Sequence, residues 1–293
     1  MEIAILIVTR NRPEELVITL DKLSCLLDLS LHEVLVFIDG CKQTESLIAQ
    51  YPWVHWECSS ISLGASPARN VLFKKGKGSI FIGLDDDAHP LSKDFITLTQ
   101  KIFNEDKKVG IVAFQEVRGV FVDDQEARHH AASIIERYAT NDFVGCGFAI
   151  RKDVYQQTNG FPVWIDIYGE ESCVGIEVLD LGYEIRYDNT IVVNHRVDRV
   201  LRINQRRNYF RFEKQLKNTI YYYLVYFRNP FFKIAKLLFH NFKKYGMENR
   251  TYFQLFWKSV FCVIKEFSQV IKYRKPVQQS TLRKMNNLRG IKY

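Results

Sequence analysis

Apolar residues in the first two thirds of the chain form short unbroken runs, separated by segments of helical period. Ile3 to Val8 is continuous and rich in β-branched side chains, the pattern of a strand buried on both faces. Pro13, with Glu14 and Glu15 behind it, predicts a helix start, and the pattern carries to about Leu29. Glu33 to Ile38 predicts a second strand ending at Asp39-Gly40; a short helix near Glu45 to Gln50 and a strand at Val54 to Glu57 follow. Pro67 to Lys75 predicts a helix, Gly76 to Gly78 a turn, and Ser79 to Leu84 a fourth strand. A helix at Lys93 to Phe103, a strand at Val109 to Phe114, a helix at Ser172 to Leu181 stopped by Gly182, and a strand at Thr190 to Val193 complete the region. This alternation predicts an α/β fold with a mostly parallel sheet and right-handed crossovers. Ligands of such sheets bind beyond the carboxyl ends of the strands. Thr9-Arg10-Asn11-Arg12, Asp39-Gly40 and Asp85 to Asp87 each follow a strand, so they are expected along one edge.

From Arg196 the texture changes. Glycine becomes scarce, and aromatics interleave with basic residues in Asn208 to Phe212 and Tyr221 to Arg228. Phe231 to Phe242 and Tyr252 to Tyr273 have roughly helical spacing. We expect one region over residues 1–200 and a basic, aromatic helical region over 201–293, with no repeat and no low-complexity linker. Charge sharpens the division. Arg196 to Tyr293 holds 23 Lys and Arg against four Asp and Glu, a balance of +19, so the first 195 residues carry −11 of the overall +8. An acidic front suits a metal ion, and a basic tail suits an anionic surface, phospholipid or nucleic acid. An apolar content of 47% excludes a disordered, collagen-like or fibrous chain. The cysteines at 25, 41, 58, 146, 173 and 262 form no C-x-x-C pair, which excludes a dense disulfide framework and zinc-ribbon spacing. Reduced thiols in a cytoplasmic setting are the simplest reading; Cys25, Cys146 and Cys173 stand in apolar contexts and are expected mostly in the core. No apolar run approaches the roughly 20 residues that span a bilayer. Glu2 and the immediate strand argue against a cleaved signal peptide.

The strongest chemical signal is the acidic triplet Asp85-Asp86-Asp87 at the end of a buried strand. Adjacent carboxylates repel, and a divalent cation with hard oxygen ligands relieves that repulsion. Taken alone, such a triplet also serves as a solvated loop or a helix N-cap. Glu170-Glu171, just before a predicted helix, is either electrostatic capping or a source of a general base. His195 ends a strand, where it is either a structural hydrogen-bonder or a ligand suited to manganese. His129-His130 has no matching carboxylate spacing and is expected on the surface. Trp53 and Trp56 are expected in the core, whereas Trp164 and Tyr168, close before the glutamate pair, are candidates for the border of an acceptor site.

In combination these pieces resemble the family 2 glycosyltransferases over roughly residues 1 to 200. The similarity lies in Ile7-Val8-Thr9-Arg10-Asn11-Arg12-Pro13, in the strand ending at Asp39, and in Leu63-Gly64-Ala65-Ser66-Pro67-Ala68-Arg69-Asn70. It continues through Leu84 to Asp87, Gly145 to Arg151, Gly160-Phe161, Gly169-Glu170-Glu171 and His195. The resemblance implies a Rossmann-like GT-A fold and inverting, metal-dependent transfer of a sugar from a nucleoside-diphosphate donor, UDP- or dTDP-type favoured. It further implies that Thr9, Arg10 and Arg12 line the base and phosphates, that Asp39 accepts from base or ribose, and that Arg69 or Asn70 steadies nucleotide or sugar. By the same resemblance Asp87 ligates Mn2+ or Mg2+, helped by Asp85 and His195. Asp85 also faces the ribose, while Asp86, the middle position of the nucleotide-site triplet, points elsewhere. Glu171 stands where many relatives have aspartate and is taken as the base, with Glu170 as the alternative.

The resemblance also implies a saccharide or lipid-linked acceptor in bacterial surface polysaccharide or glycolipid assembly, and a peripheral place on the inner face of the cell membrane. The tail fits either an interfacial helix on an anionic membrane or a subdomain that packs its aromatics on the catalytic region. A nucleic-acid-binding protein is the rival from another class, but it leaves the acidic motifs unexplained. A sugar nucleotidyltransferase lacks support because no glycine-rich basic loop follows the first strand. An inactive scaffold is disfavoured by the intact acidic positions.

Overall fold

The computed structural model describes residues 2–198 and 206–291. Nine strands form one sheet: β1 Ile3–Thr9, β2 His32–Asp39, β3 His55–Ser59, β4 Ile80–Asp85, β5 Ala88–Pro90, β6 Val109–Arg118, β7 Arg137–Thr140, β8 Gly147–Arg151 and β9 Glu184–His195. The order is β3-β2-β1-β4-β8-β6-β9-β5, and β7 pairs with β9. The pairings set β1, β2, β3, β4, β6 and β9 in one direction, and β5, β7 and β8 against them. The sheet is therefore mostly parallel, with antiparallel strands concentrated in its second half.

The unbroken apolar runs reflect helices on both faces. Ile3, Ile5 and Ile7 join one core cluster, with Leu16, Leu20 and Leu23 of α1 (Pro13–Ser24) and Phe95 and Phe103 of α4 (Phe95–Glu105). Ala4 and Leu6 point the other way, toward Leu72 and Phe73 of α3 (Ala65–Lys75), Tyr155 of α6 (Lys152–Gln157) and Val174 and Val178 of α7 (Glu170–Asp180). Alternate side chains of one strand thus enter two different layers, so neither parity is polar. Trp53 and Trp56 pack against the first cluster. The expected helix at 45–50 is instead the single turn α2 (Lys42–Glu45). Cys25 is exposed rather than buried, because α1 stops at Ser24 and the chain turns outward there; Cys146 and Cys173 are buried.

Two features of the sheet place the chemistry. Between β6 and β9 the register jumps, Phe114 pairing with Asp188 and Gln115 with Val192. This bulge lets the end of β9 run on beside Arg118 and reach β5, so that His195 pairs with Ala88 directly after the acidic triplet. Between β4 and β8, Gly83 faces Phe148, whose ring lies 4.6 Å from that of Phe143 and 6.0 Å from that of Phe73.

The tail is helical. It comprises α8 (Arg207–Tyr226), α9 (Phe231–Asn241), a π-helical turn at Phe242–Gly246, α10 (Arg250–Val270) and α11 (Gln279–Asn287), with α5 (Asp124–His129) completing the helices. The expected boundary near residue 200 lies within 199–205, outside the described residues. Leu216, Ile220 and Leu224 of α8 and Phe256 and Val263 of α10 share a core with Ile165, Cys173 and Ile176 of the sheet-bearing region. Tyr226 Oη donates to Glu177 Oε1 at 2.7 Å, and Thr281 Oγ1 donates to Asp180 at 2.6 Å. Trp164 sits among the rings of Tyr221, Tyr226 and Tyr273 in this interface, edge-on or tilted to each. Packing on the sheet-bearing region therefore accounts for α8, while α9 keeps Phe231, Phe232 and Phe239 exposed. No helix among the described residues is long and apolar enough to cross a membrane.

A Cβ at Gly83 would overlap the Phe148 ring, which is hemmed in by other aromatics. Gly83→Ala is expected to destabilise the protein by about 1–3 kcal/mol through overpacking, measured as a lower urea midpoint.

Candidate active site

The ends of β1, β2, β4, β6 and β9 open into a cleft of about 1090 Å³. Its walls include Thr9 to Arg12, Asp39, Asp85, Asp87, Glu116, the 142–146 loop, Tyr168 to Ser172 and His195. Phe210, Arg211 and Gln215 of α8 close one side, so the tail helps to build the cavity. The strand ends gather as the alternation predicts.

Asp39 sits at the tip of β2, and its carboxylate fixes the facing loop. It accepts from Ser62 Oγ at 2.7 Å, Leu63 N at 2.6 Å and Gly64 N at 3.1 Å. Gly40, at φ 64°, makes the turn that allows this approach. Thr9 is buried and Arg10 exposed at the rim. Arg12, expected at the phosphates, forks across the acidic triplet and pairs with both Asp86 and Asp87. Asp86 is fully buried and does not line the cleft. Burial pushes its carboxyl up to about 7, against the pull of Arg12.

Arg69 is the central cation. Its guanidinium pairs with Asp85 at 2.5 Å, Glu170 at 3.1 Å and Glu171 at 3.2 Å. Burial acts to lower its pKa, but Asp85, Glu171 and Glu170 outweigh that and raise it. The guanidinium is thus engaged by three carboxylates. Asn70 lies outside the cleft lining, donating to the Phe161 carbonyl at 2.6 Å. Tyr168 and Gly169, at φ 69° and 102°, turn the chain into α7, whose first residues are the two glutamates. The Glu170 side chain is 3% exposed and that of Glu171 is 20% exposed. Burial, then the charge of Glu171, pushes Glu170 up to about 8. Burial also raises Glu171, opposed by Arg69. Gly145 makes room for this pair, since a Cβ there would overlap Glu171 Oε1 and come within 2.7 Å of Arg69 Nη2.

His195 faces two carboxylates, with Nδ1 2.5 Å from Glu116 and Nε2 3.3 Å from Asp87. Burial lowers its pKa, yet Cys146, Asp87 and Glu116 together push it up to about 12. Glu116 falls to about 2 despite burial, because His195 and Arg118 hydrogen-bond to it. Asp85, Asp87 and His195 bring one ligand atom each within 4.8 Å of one another. Two carboxylates and an imidazole fit a manganese ion well and a magnesium ion through the oxygens. Glu116, Arg118, Asp142 and Cys146 escaped the sequence reading. The run that predicts β6 ends at Phe114, but the strand continues to Arg118 and delivers Glu116. Cys146 reads as core and is buried, yet it lines the cleft.

No known family profile matches the chain, and no curated protein matches it in sequence. Solved structures do match its fold. A fragment of TarS from S. aureus superposes with a TM-score of 0.59 at 14% identity, over 92% of this chain and 81% of that one. The mannosyltransferase PcManGT from Pyrobaculum calidifontis, solved with GDP-Man and Mn2+, gives 0.57 at 16% identity, over 97% and 83%. GalNAc-T7, solved with UDP, GalNAc and Mn2+, gives 0.53 at 15% identity, over 67% of this chain and 43% of that one. The chain spans only 37% of the longer TarS structure. The architecture is that of the GT-A-type glycosyltransferases.

Asp142 lies behind Glu171, with its oxygens near Phe143 N at 2.9 Å and Ser172 Oγ at 3.3 Å. Burial and the Glu171 charge push it up to about 7 from 3.8, so the folded protein holds this proton more tightly than the unfolded chain. Its contribution to stability is therefore present at low pH and lost as pH rises through 7. Asp142→Asn mimics the protonated form. Thermal unfolding should show a higher midpoint than wild type at pH 8 and little difference at pH 4.

Proposed function

We propose that the protein is an inverting, metal-dependent glycosyltransferase that moves a sugar from a nucleoside-diphosphate donor to an acceptor hydroxyl. The observation that carries this reading is Arg69, which joins Asp85 on the cation side of the cleft to Glu171 on the other side. One guanidinium thereby links the donor side of the cleft to the base across it. The solved neighbours carry UDP, UDP-GlcNAc and GDP-Man, which supports a nucleotide-sugar donor. A UDP- or dTDP-sugar remains the favoured class.

Asp87, Asp85 and His195 would hold Mn2+ or Mg2+. When bound, the cation stabilises negative charge on the departing nucleoside diphosphate. Thr9 and Arg10 border the nucleotide end, and Asp39 shapes it by holding the 62–64 loop. Glu171 is the base. It is the more accessible glutamate, and it takes the proton from the acceptor hydroxyl as that oxygen attacks the anomeric carbon from the face opposite the leaving group. Glu170, nearly inaccessible, acts as its buried neighbour.

The tail supports a peripheral membrane location. Phe231 is 73% exposed and Phe232 81% exposed, and Phe239, Phe261 and Ile264 are open to solvent as well. Lys233, Lys236, Lys243 and Lys244 punctuate the same segment. An apolar face with interleaved cations suits an anionic headgroup layer. The cytoplasmic face of the membrane, with a saccharide or lipid-linked acceptor in surface polysaccharide or glycolipid assembly, is the setting that the resemblance to family 2 glycosyltransferases implies.

Two measurements test these roles. In a screen of uridine, thymidine and guanosine diphosphate sugars that reads released nucleoside diphosphate, Asp87→Ala should abolish turnover and cation-dependent nucleotide binding. Glu171→Gln should keep donor binding and lose about 10²–10⁴ in kcat; near-normal turnover would remove Glu171 as base. Sedimentation with anionic vesicles should fall sharply when Phe231, Phe232 and Phe239 become serine, and binding to zwitterionic vesicles should be weak throughout.

A further inference from the structure

Three neighbouring strands, β8, β6 and β9, each deliver a different kind of ligand to one point. Cys146 immediately precedes β8, Glu116 lies near the end of β6, and His195 ends β9. One ligand atom from each lies within 4.8 Å of the other two. All three residues are buried, at 3%, 7% and 9% exposure, yet all three line the cleft. The donor set differs from the one at the acidic triplet. Thiolate, imidazole and carboxylate together select zinc, cobalt or cadmium over manganese or magnesium. Zinc bonds of about 2.0–2.3 Å put tetrahedral ligands roughly 3.3–3.8 Å apart, so the Glu116–His195 pair, now at 2.5 Å, opens and any spacing toward 4.8 Å closes, each by about an ångström.

We propose that Glu116, Cys146 and His195 form a site for a thiophilic divalent cation, and that filling it excludes the hard cation held by Asp85 and Asp87. On binding, the Cys146 S–H bond and the His195 Nδ1–H bond break, both protons leave to solvent, and sulfur and Nδ1 bond the metal. Exclusion follows from the imidazole. Nδ1 faces Glu116 and Nε2 faces Asp87. A neutral ring has one lone pair and one N–H. A cation on the Glu116 edge takes the lone pair and aims the N–H at Asp87, so His195 no longer ligates a metal there. The exclusion rests on reading Asp85, Asp87 and His195 as the hard-cation site; the thiophilic site does not.

The test uses the full chain and cobalt as probe. Co2+ should produce a thiolate-to-cobalt charge-transfer absorption. Cys146→Ser should abolish it, and Glu116→Gln should weaken cobalt binding by about tenfold or more. A variant with both exposed cysteines replaced, Cys25→Ser with Cys58→Ser, should keep the absorption. An absent band, or one that survives Cys146→Ser, overturns the site. X-ray absorption of the wild-type zinc complex gives a check that needs no variant: one sulfur among nitrogen and oxygen ligands supports the site, and a shell without sulfur overturns it. Zinc added to the Mn2+-loaded protein should release Mn2+, read by the resonance of the free ion. Manganese that stays bound beside zinc overturns the exclusion. A protein that binds cobalt through Cys146 but never binds Mn2+ supports the thiophilic site and removes the hard-cation reading instead.

Discussion

Carboxylates converge on one end of the sheet, among them Asp85, Asp86, Asp87, Glu116, Asp142, Glu170 and Glu171. Two like charges 4 Å apart repel by about 4 kcal/mol at an effective dielectric near 20. Most of these groups are buried, so the site stands only because cations are threaded among them. Arg12 forks onto Asp86 and Asp87, Arg69 onto Asp85, Glu170 and Glu171, and His195 lies between Asp87 and Glu116. Burial, reinforced by the neighbouring carboxylates, pushes Asp86, Asp142 and Glu170 up. The proposed divalent ion would meet a pocket already arranged to receive positive charge.

The fold makes this concentration possible by bringing distant segments to one rim. The parallel half supplies Thr9, Asp39 and Asp85 from successive strand ends. The mixed half supplies Glu116 and His195 through a bulge that carries β9 past its regular register. Loops held by buried polar contacts, such as Ser66 Oγ to the Pro162 carbonyl at 2.6 Å, keep α3 and the turn before α7 together. That contact fixes Arg69 relative to the glutamates.

Much of this was legible in the chain. Unbroken β-branched runs signal two-sided burial, and the acidic triplet after such a run marks the rim. The partners of the cations were not legible. Arg12 stands in a segment expected at the phosphates and Arg69 in one expected to steady nucleotide or sugar, but which anion each meets depends on segments brought together by the fold, 75 residues apart for Arg12 and Asp87 and 101 for Arg69 and Glu170. Glu116 was hidden because its strand loses apolar periodicity before it ends, and Cys146 because burial and access to the cleft look alike in sequence. Trp164 stood near the right motif and still faces the tail, since the turn at Tyr168 and Gly169 separates the two.

Arg69 has a consequence for how the two halves of the cleft vary. One guanidinium neutralises acids on opposite walls, so its share for each depends on the charge of the others. Removing Asp85 leaves more of the cation to Glu171, and removing Glu171 leaves more to Asp85. Changes on opposite walls are therefore epistatic, their energies failing to add because one shared countercharge links them. Remodelling of either pocket is constrained by a residue that belongs to both.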